Sequence, residues 1–149
     1  MAREIDVAGL ALIKRFEGLR LEAYQDVAGI WTIGYGHTRG VVPGMTITEA
    51  QADQALADDL GGAEAVVDDA TADVATGDNE FSAMVSLCFN IGSVNFRAST
   101  VLREHRAGAF AAAADAFLMW NKTHVDGVLQ VVAGLTDRRT AERALYLQA

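Results

Sequence analysis

Apolar residues recur at helical spacing near the start of the chain. Leu10, Ile13 and Phe16 repeat every third residue, which is typical of one face of a helix. Asp6 has a side chain suited to capping the N-terminus of that helix, and Gly18 is suited to ending it. The pattern therefore predicts a first helix whose last turn comes just before Gly18.

The pattern then changes to strand-like alternation. Residues 30–35 are β-branched and aromatic, and residues 26–29 before them have the composition of a turn. This segment predicts a hairpin or a small three-stranded sheet. Residues 39–46 contain glycines and the one proline of the chain, and they predict a loop.

The rest of the chain has the pattern of a helical protein. Thr48 and Gln51 have the spacing of a capping box, which predicts the start of a helix there. This helix is expected to run to about residue 70, with an interruption at Gly61 and Gly62. Further helices are predicted over residues 81–89, 100–106 after a Ser99 cap, and 109–120, with irregular chain over 121–135 and a last helix from a Thr136 or Asp137 cap to about 147.

The order of these elements is one helix, a small sheet and then many helices. A lone small sheet cannot bury its face by itself, so it must pack against helices. We therefore expect an α+β, predominantly helical fold with a small β-hairpin lobe, a larger helical lobe and a cleft between them. We expect residues 1–149 to form one domain, with the small lobe over about 15–60 and the helical lobe over about 70–149 plus the N-terminal helix.

Charge and cysteine content exclude several classes of protein. The net charge of −8 argues against a nucleic-acid binder, which needs a basic face. Cys88 is the one cysteine, and its apolar surroundings in the sequence predict a small buried side chain rather than a nucleophile. No apolar run reaches the roughly 20 residues of a membrane-spanning helix, and no signal-peptide pattern is visible.

Two carboxylates lie close together around the first predicted turn. Glu17 ends the first helix, and Asp26 begins the turn that follows. Hydrolysis of a glycosidic bond uses such a pair, because one carboxyl group protonates the leaving oxygen while a second carboxylate activates water or stabilises the cationic sugar. Thr32, in the predicted strand, has a hydroxyl that could orient that water. Taken alone, Glu17 and Asp26 also fit a pair of carboxylates on the protein surface, and Thr32 also fits an ordinary β-branched strand residue.

The three histidines do not have the spacing of metal ligands. His37 follows a Tyr-Gly pair, and a lone histidine of this kind is more often a structural hydrogen-bonding group than a catalyst. His105 and His124 are scattered along the chain. We therefore expect neither a metal ion nor another cofactor.

Residues 16–38 resemble a known protein family. The runs FEGLRLEAYQD (16–26) and GIWTIGYGHT (29–38) closely resemble the N-terminal signature of phage-type lysozymes, the endolysins of glycoside hydrolase family 24. Three functional residues of that family are matched in type and spacing by Glu17, Asp26 and Thr32.

The resemblance continues more loosely through the helical part. Residues 89–102 resemble the end of the family's central helix and a substrate-side turn, and Trp120, Arg138 and Glu142 fall within its C-terminal pattern. Residues 128–133 depart from it, because they replace the glycine-rich segment that these endolysins often carry. The shape of that loop, and any sugar contact there, stay open.

The resemblance implies a lysozyme-like fold and a muramidase. Such an enzyme hydrolyses, with inversion, the β-1,4 bond between N-acetylmuramic acid and N-acetylglucosamine in peptidoglycan. Glu17 would be the general acid, and Asp26 with Thr32 would position the attacking water. The two carboxyl groups of an inverting pair stand roughly 6.5–9.5 Å apart to leave room for that water.

Supporting and binding roles are implied as well. Arg138 is the candidate for a basic group near Glu17, and His37 is a supporting residue. Asn90 and Trp120 are candidates for substrate binding, the amide through hydrogen bonds to sugars and the indole through packing. Each of these two could instead be purely structural.

The implied partner is peptidoglycan, and we expect a monomer that binds no nucleic acid and does not insert into a membrane. We expect neither the signal-anchor helix nor the regulatory cysteines that some endolysins carry, because the sequence shows no pattern typical of either. It thus resembles the soluble subtype, which stays in the host cytoplasm until a separate holin releases it to the periplasm and cell wall. Hydrolysis there would lyse the host cell.

Three alternatives stay open. A lytic transglycosylase would cleave the same bond without water and form an anhydro ring, commonly with a single glutamate, so Asp26 and Thr32 favour hydrolysis. A catalytically silent wall-binding module on the same fold would not need to keep all three residues. Chitin or chitosan shares the β-1,4 aminosugar backbone and is a further possible substrate.

Overall fold

A computed structural model describes residues 2–148 and has a mostly helical α+β fold, as predicted. Within these residues, no helix combines the length and the apolar character that crossing a membrane requires. In chain order the elements are α1 (Val7–Glu17), β1 (Arg20–Gln25), β2 (Trp31–Gly34), α2 (Glu49–Ala70), α3 (Asp78–Ile91), α4 (Ser93–Arg97), α5 (Thr100–Arg106), α6 (Phe110–Ala116), β3 (Lys122–Val125), β4 (Val128–Val131) and α7 (Ala133–Leu147).

The chain divides into two compact units. The first, which we call the hairpin unit, is Ile13–Gly62. The second, the helical unit, consists of the residues up to Leu12 together with those from Ala63 onward. Helices α1 and α2 each contribute residues to both units.

The hairpin unit is built on the predicted β1–β2 hairpin. Tyr24 pairs with Thr32 and Gln25 pairs with Trp31 in an antiparallel register. Residues 45–47 add two backbone hydrogen bonds to β1, but they form an isolated bridge rather than a third strand. The two-stranded form of the prediction is therefore the one observed.

Helices supply the core of the hairpin unit. Ile13 of α1, Ile33 of β2, and Leu56 and Leu60 of α2 are each at most 1% exposed. Burial of one such side chain contributes about 1.5–3 kcal/mol. The apolar positions of α1 and α2 thus form a core together with β2, and residues 27–30 of the turn between β1 and β2 are exposed outside it.

The N-terminus of α2 has the predicted capping box. The Gln51 amide donates to Thr48 Oγ1 at 3.1 Å, and the Thr48 amide donates to Gln51 Oε1 at 2.9 Å. The predicted interruption at Gly61 and Gly62 is wrong, because α2 continues through both to Ala70. A helical glycine costs roughly 0.5–1 kcal/mol relative to alanine, and a long helix with a buried face tolerates that cost.

Helix α3 is the centre of the helical unit. Every side chain from Phe81 to Cys88 is buried, so the helix is enclosed by its neighbours. Helix α7 is one of the elements that pack against it. Cys88 is 2% exposed and burial raises the pKa of its thiol, as expected of a structural cysteine.

The α1 and α5 caps are as predicted. Asp6 Oδ1 accepts a hydrogen bond from the Gly9 amide at 2.9 Å, and Ser99 Oγ accepts one from the Leu102 amide at 3.2 Å. The predicted helix over 109–120 is α6 followed by a short 3-10 turn, Phe117–Met119. Helix α4 was not predicted, because five residues are too short to show a hydrophobic period.

The prediction of irregular chain over 121–135 is wrong. Strands β3 and β4 form a hairpin whose turn is Asp126–Gly127, with φ of 51° and 79°. Two central residues with positive φ are typical of a type I′ turn, for which Asp-Gly is a favoured sequence. All eight strand residues are exposed, so no alternation of apolar and polar positions marks them.

The predicted start of α7 at Thr136 or Asp137 is also wrong, because the helix begins at Ala133. The Val132 amide closes the second hairpin by donating to the Asn121 carbonyl at 2.9 Å, and the chain enters the helix at the next residue. The side chain of Thr136 therefore does not cap the helix.

Candidate active site

Glu17 is the last residue of α1, and the tight turn after β2 lies against its carboxylate. Gly18 follows with φ of 74°, a conformation that favours glycine and ends the helix. A Cβ built on Gly36 would lie 3.1 Å from Glu17 Oε1. A side chain at residue 36 would therefore press on the half-buried carboxylate and displace it by a few tenths of an ångström.

His37 holds this turn in place. Ile33 and His37 exchange two backbone hydrogen bonds of 2.9 Å across residues 34–36. His37 Nδ1 also lies 2.8 Å from Asp59 Oδ2, which ties the turn to α2. The contacts of His37 are thus those of a residue that supports the backbone beside Glu17.

Asp26 opens the turn between β1 and β2. Its Oδ1 accepts hydrogen bonds from the amides of Ala28 and Ile30, both at 2.9 Å. Its own amide donates to the Ile30 carbonyl at 2.9 Å. One carboxylate oxygen is therefore fixed by the backbone, whereas the other, Oδ2, takes part in none of these bonds.

Thr32 is attached to the same turn residue as Asp26. Its side chain is 4% exposed, and its Oγ1 donates to the Ile30 carbonyl at 2.9 Å. Ile30 thus binds the Asp26 carboxylate through its amide and the Thr32 hydroxyl through its carbonyl. Because the hydroxyl proton is used in this bond, the lone pairs of Oγ1 are what Thr32 can offer to a water molecule.

The hairpin unit therefore contains all three predicted catalytic residues, at the end of α1, in the β1–β2 turn and in β2. It offers one carboxyl group beside a glycine backbone, and a second carboxylate that shares a turn with a hydroxyl. Within residues 2–148, no cluster of three or more His, Cys, Asp and Glu side chains is placed to hold a metal ion.

Arg138 lies in the helical unit, on α7, and is 4% exposed. Its Nε donates to Glu142 Oε2 at 3.4 Å, and its Nη2 donates to the carbonyl and hydroxyl oxygens of Ser86, each at 3.4 Å. Arg138 is thus part of a buried polar cluster between α7 and α3. Its predicted place near Glu17 stays a prediction.

Glu142 is the centre of that cluster and is fully buried. Arg139 Nε lies 2.9 Å from Glu142 Oε1, and the Ser86 hydroxyl donates to Oε2. Burial raises the pKa of Glu142, and the guanidinium groups of Arg139 and Arg138 oppose that rise. Removing one partner from a buried pair of this kind typically costs about 3–5 kcal/mol.

Asn90 and Trp120, the predicted substrate-binding residues, line one open pocket of the helical unit. Its volume is about 260 Å³. Sequence reasoning missed Lys122 and Thr123, which belong to the unpredicted strand β3; the Asp-Gly turn of that hairpin was the signal that could have found them. The remaining lining residues are Ile91, Asn95 and Leu135.

Known proteins resemble this chain over nearly its whole length. The family model described as phage lysozyme matches residues 14–142. The endolysin of Acyrthosiphon pisum secondary endosymbiont phage 1 is 42% identical over 145 residues, which cover 97% of this chain and 99% of the relative. The structure of an endolysin from Escherichia coli O157:H7 phage FAHEc1 has 42% identity and a TM-score of 0.93, covering 99% of this chain and 95% of that one. The muramidase domain of SpmX from Asticaccaulis excentricus has 39% identity and a TM-score of 0.92, covering 99% of both chains.

Proposed function

This chain belongs to the phage lysozyme family, and we propose that Glu17, Asp26 and Thr32 are the residues with which it cleaves its substrate. The chain is a peptidoglycan-lysing muramidase, a glycoside hydrolase of the endolysin type. The observation that carries the residue assignment is the attachment of Asp26 and Thr32 to one turn residue, Ile30, which gives them a common position for a water molecule.

Glu17 would act as the general acid. Its carboxyl group donates a proton to the glycosidic oxygen as the β-1,4 bond between N-acetylmuramic acid and N-acetylglucosamine breaks. The backbone of Gly36 restricts where this carboxyl group can lie, because it approaches Glu17 Oε1 closely. A positioned general acid typically contributes roughly 10²- to 10⁴-fold to the rate.

Asp26 and Thr32 would act on the attacking water. With Oδ1 of Asp26 held by two backbone amides, Oδ2 is the oxygen that accepts a proton from water. The Thr32 hydroxyl accepts the second water proton in a hydrogen bond, since its own proton is donated to Ile30. Two acceptors orient the water oxygen toward the anomeric carbon, and a single displacement inverts the configuration there. We expect the carboxyl groups of Glu17 and Asp26 to stand roughly 6.5–9.5 Å apart.

Asn90 and Trp120 would contact the substrate through the pocket that they share. The protein would act as a monomer and would pass from the host cytoplasm to the periplasm and cell wall with the help of a separate holin. Expression in a bacterium with and without a co-expressed holin tests the route: lysis only with the holin supports it, and equal lysis without it contradicts it.

The products of purified peptidoglycan test the reaction itself. Digestion in ¹⁸O-labelled water should give reducing N-acetylmuramic acid ends that carry one labelled oxygen, and the α-anomer should form first. Anhydro ends, lighter by one water and unlabelled, would show a lytic transglycosylase instead. First formation of the β-anomer would show that the configuration is retained and would contradict the roles given to Asp26 and Thr32.

A further inference from the structure

The amide of Asn90 is tied to a buried cation. Arg139 is fully buried, and its Nη2 donates to Asn90 Oδ1 at 2.7 Å. A guanidinium group has donors only, so the amide atom that faces it must be the carbonyl oxygen. The orientation of an asparagine amide often has to be inferred, but here the chemistry of the neighbour fixes it.

Arg139 is enclosed by protein and paired with a second buried charge. Its Nε lies 2.9 Å from Glu142 Oε1 in an ion pair that is not aligned as a hydrogen bond, and Glu142 is bound in turn by the Ser86 hydroxyl and by Arg138. Arg139 and Glu142 are both fully buried. Neither charged side chain can therefore replace its partner by water without moving out of the protein interior. The rigid partner in the Arg139–Asn90 bond is therefore the arginine, and the exposed asparagine is the one that is oriented.

This bond decides what Asn90 offers to the pocket. Because Oδ1 accepts from Arg139, the amide group of Asn90 has Nδ2 left for the pocket, and this nitrogen can only donate hydrogen bonds. Lys122, another lining residue, also has donors only, whereas the Asn95 Nδ2 group is used by the Ile91 carbonyl at 2.9 Å. The Asn90 and Lys122 side chains therefore present hydrogen-bond donors to whatever enters the pocket.

We propose that Arg139 is a positioning residue for substrate binding, which fixes the Asn90 amide so that Nδ2 donates to an acceptor oxygen of peptidoglycan. The inference rests on the proposed function, because it takes peptidoglycan as the occupant of the pocket. Suitable acceptors are the N-acetyl carbonyl groups of the glycan and the carbonyl and carboxylate groups of its peptide stems, which share the same chemistry.

The most direct test replaces the Asn90 Nδ2 donor by a hydrogen-bond acceptor. Asn90→Asp keeps an oxygen for Arg139 and replaces the pocket-facing donor by a carboxylate oxygen, with almost no change of shape. We expect KM for peptidoglycan to rise roughly ten- to a hundredfold, with kcat within about twofold of wild type. Asn79→Asp adds the same charge to the other end of α3, away from the pocket lining, and should leave both constants unchanged.

A second test isolates the contribution of Arg139. Arg139→Lys keeps the positive charge beside Glu142 but loses the planar fork of donors. KM should rise when residue 90 is asparagine, and the same substitution should leave KM unchanged in an Asn90→Ala background, where no amide remains to be oriented. An equal rise in both backgrounds would mean that Arg139 acts on the fold alone and would overturn the positioning role.

Two further comparisons locate the acceptor and separate this inference from the catalytic one. If the Asn90→Asp effect persists on glycan strands stripped of peptides by an amidase, the acceptor lies on the glycan; if it disappears, the acceptor lies on the stem. Either result supports the proposal, whereas a wild-type KM for Asn90→Asp on intact peptidoglycan would overturn it even if Arg139→Lys fails to fold. Failure of the proposed catalytic residues would appear instead as unchanged kcat in Glu17→Gln, whatever the KM of the Asn90 variants.

Discussion

Gly36 stands so close to Glu17 that a Cβ at residue 36 would lie 3.1 Å from Glu17 Oε1. The backbone at Gly36 also has φ of 86°, a conformation that L residues rarely adopt. Glycine is therefore favoured there for two separate reasons, the backbone conformation and the nearness of a carboxylate. The second reason connects the turn after β2 to the proposed general acid.

Gly36→Ala should separate these two reasons when it is compared with Gly40→Ala. Gly40 has φ of 71°, but nothing lies within 4 Å of a Cβ built there. Both variants should lose about 1–2 kcal/mol of unfolding free energy from the backbone term. Only Gly36→Ala should also lower kcat, by at most roughly a hundredfold, because misplacement of a catalytic group by about 1 Å has that effect and the shift needed here is smaller. Equal activity of the two variants would contradict the importance of the contact with Glu17.

Asp26→Asn should retain the fold and lose the reaction. The asparagine oxygen can still accept from the Ala28 and Ile30 amides, so the turn survives. The Oδ2 atom is replaced by an NH₂ group, which cannot take a proton from water, and kcat should fall roughly 10²- to 10⁴-fold. Asp58→Asn, an exposed position on α2, is the matched control and should keep wild-type activity. An active Asp26→Asn enzyme would remove Asp26 from the mechanism.

The hairpin unit could be predicted from sequence because local rules agree there. The change from helical to strand-like spacing of apolar residues predicts the first hairpin, and the Thr48–Gln51 spacing predicts a capping box. Both signals lie within a few residues of sequence, and the structure has both features. The family resemblance then placed Glu17, Asp26 and Thr32 in one signature. What the sequence could not show is that the last two share Ile30, since that depends on the backbone conformation of the turn from Asp26 to Ile30.

The helical unit was harder to predict, because its informative contacts are long-range. The bond between Arg139 and Asn90 joins residues 49 positions apart, on two different helices. The exposed β3–β4 hairpin carries no apolar alternation, so only its Asp126–Gly127 turn marked it. Lys122 was missed as a pocket residue for the same reason.

His105 should make the stability of the helical unit sensitive to acid. It is 1% exposed, with Nδ1 2.7 Å from the Tyr146 hydroxyl and Nε2 2.8 Å from the Thr76 hydroxyl. Burial lowers the pKa of His105 below its ordinary value, and Glu80 raises it while Arg106 lowers it further.

Because the pKa of His105 is lower in the folded state than in the unfolded state, the unfolded chain binds the proton more readily. The stability that the neutral histidine contributes is fully present above about pH 6.5 and is lost as the pH falls from there toward the folded-state pKa. His105→Gln should therefore flatten the fall in unfolding free energy between about pH 7.5 and 5. His124→Gln, on the exposed strand β3, should retain the wild-type slope, and an equal effect of both substitutions would contradict this assignment.

Gly9 and Gly62 should respond to the same substitution with opposite signs. A Cβ on Gly9 would lie 2.5 Å from Ser82 Cβ and 2.7 Å from Ile5 Cγ1, so Gly9→Ala should destabilise the protein by about 1–3 kcal/mol. Nothing lies within 4 Å of a Cβ on Gly62, so Gly62→Ala should stabilise α2 by roughly 0.5–1 kcal/mol. Denaturant unfolding measures both: a Gly9→Ala protein as stable as wild type would show that α1 does not need its close approach to α3, and a destabilised Gly62→Ala protein would contradict the prediction for α2.

The role of Glu17 as the general acid is best measured as kcat on purified peptidoglycan. Glu17→Gln is nearly isosteric and cannot donate a carboxyl proton, whereas Glu22→Gln makes the same change on the exposed strand β1. We predict that Glu17→Gln folds as wild type and loses roughly 10²- to 10⁴-fold or more in kcat, while Glu22→Gln remains active. Near-normal release of reducing N-acetylmuramic acid ends by a folded Glu17→Gln protein would show that Glu17 is not the general acid.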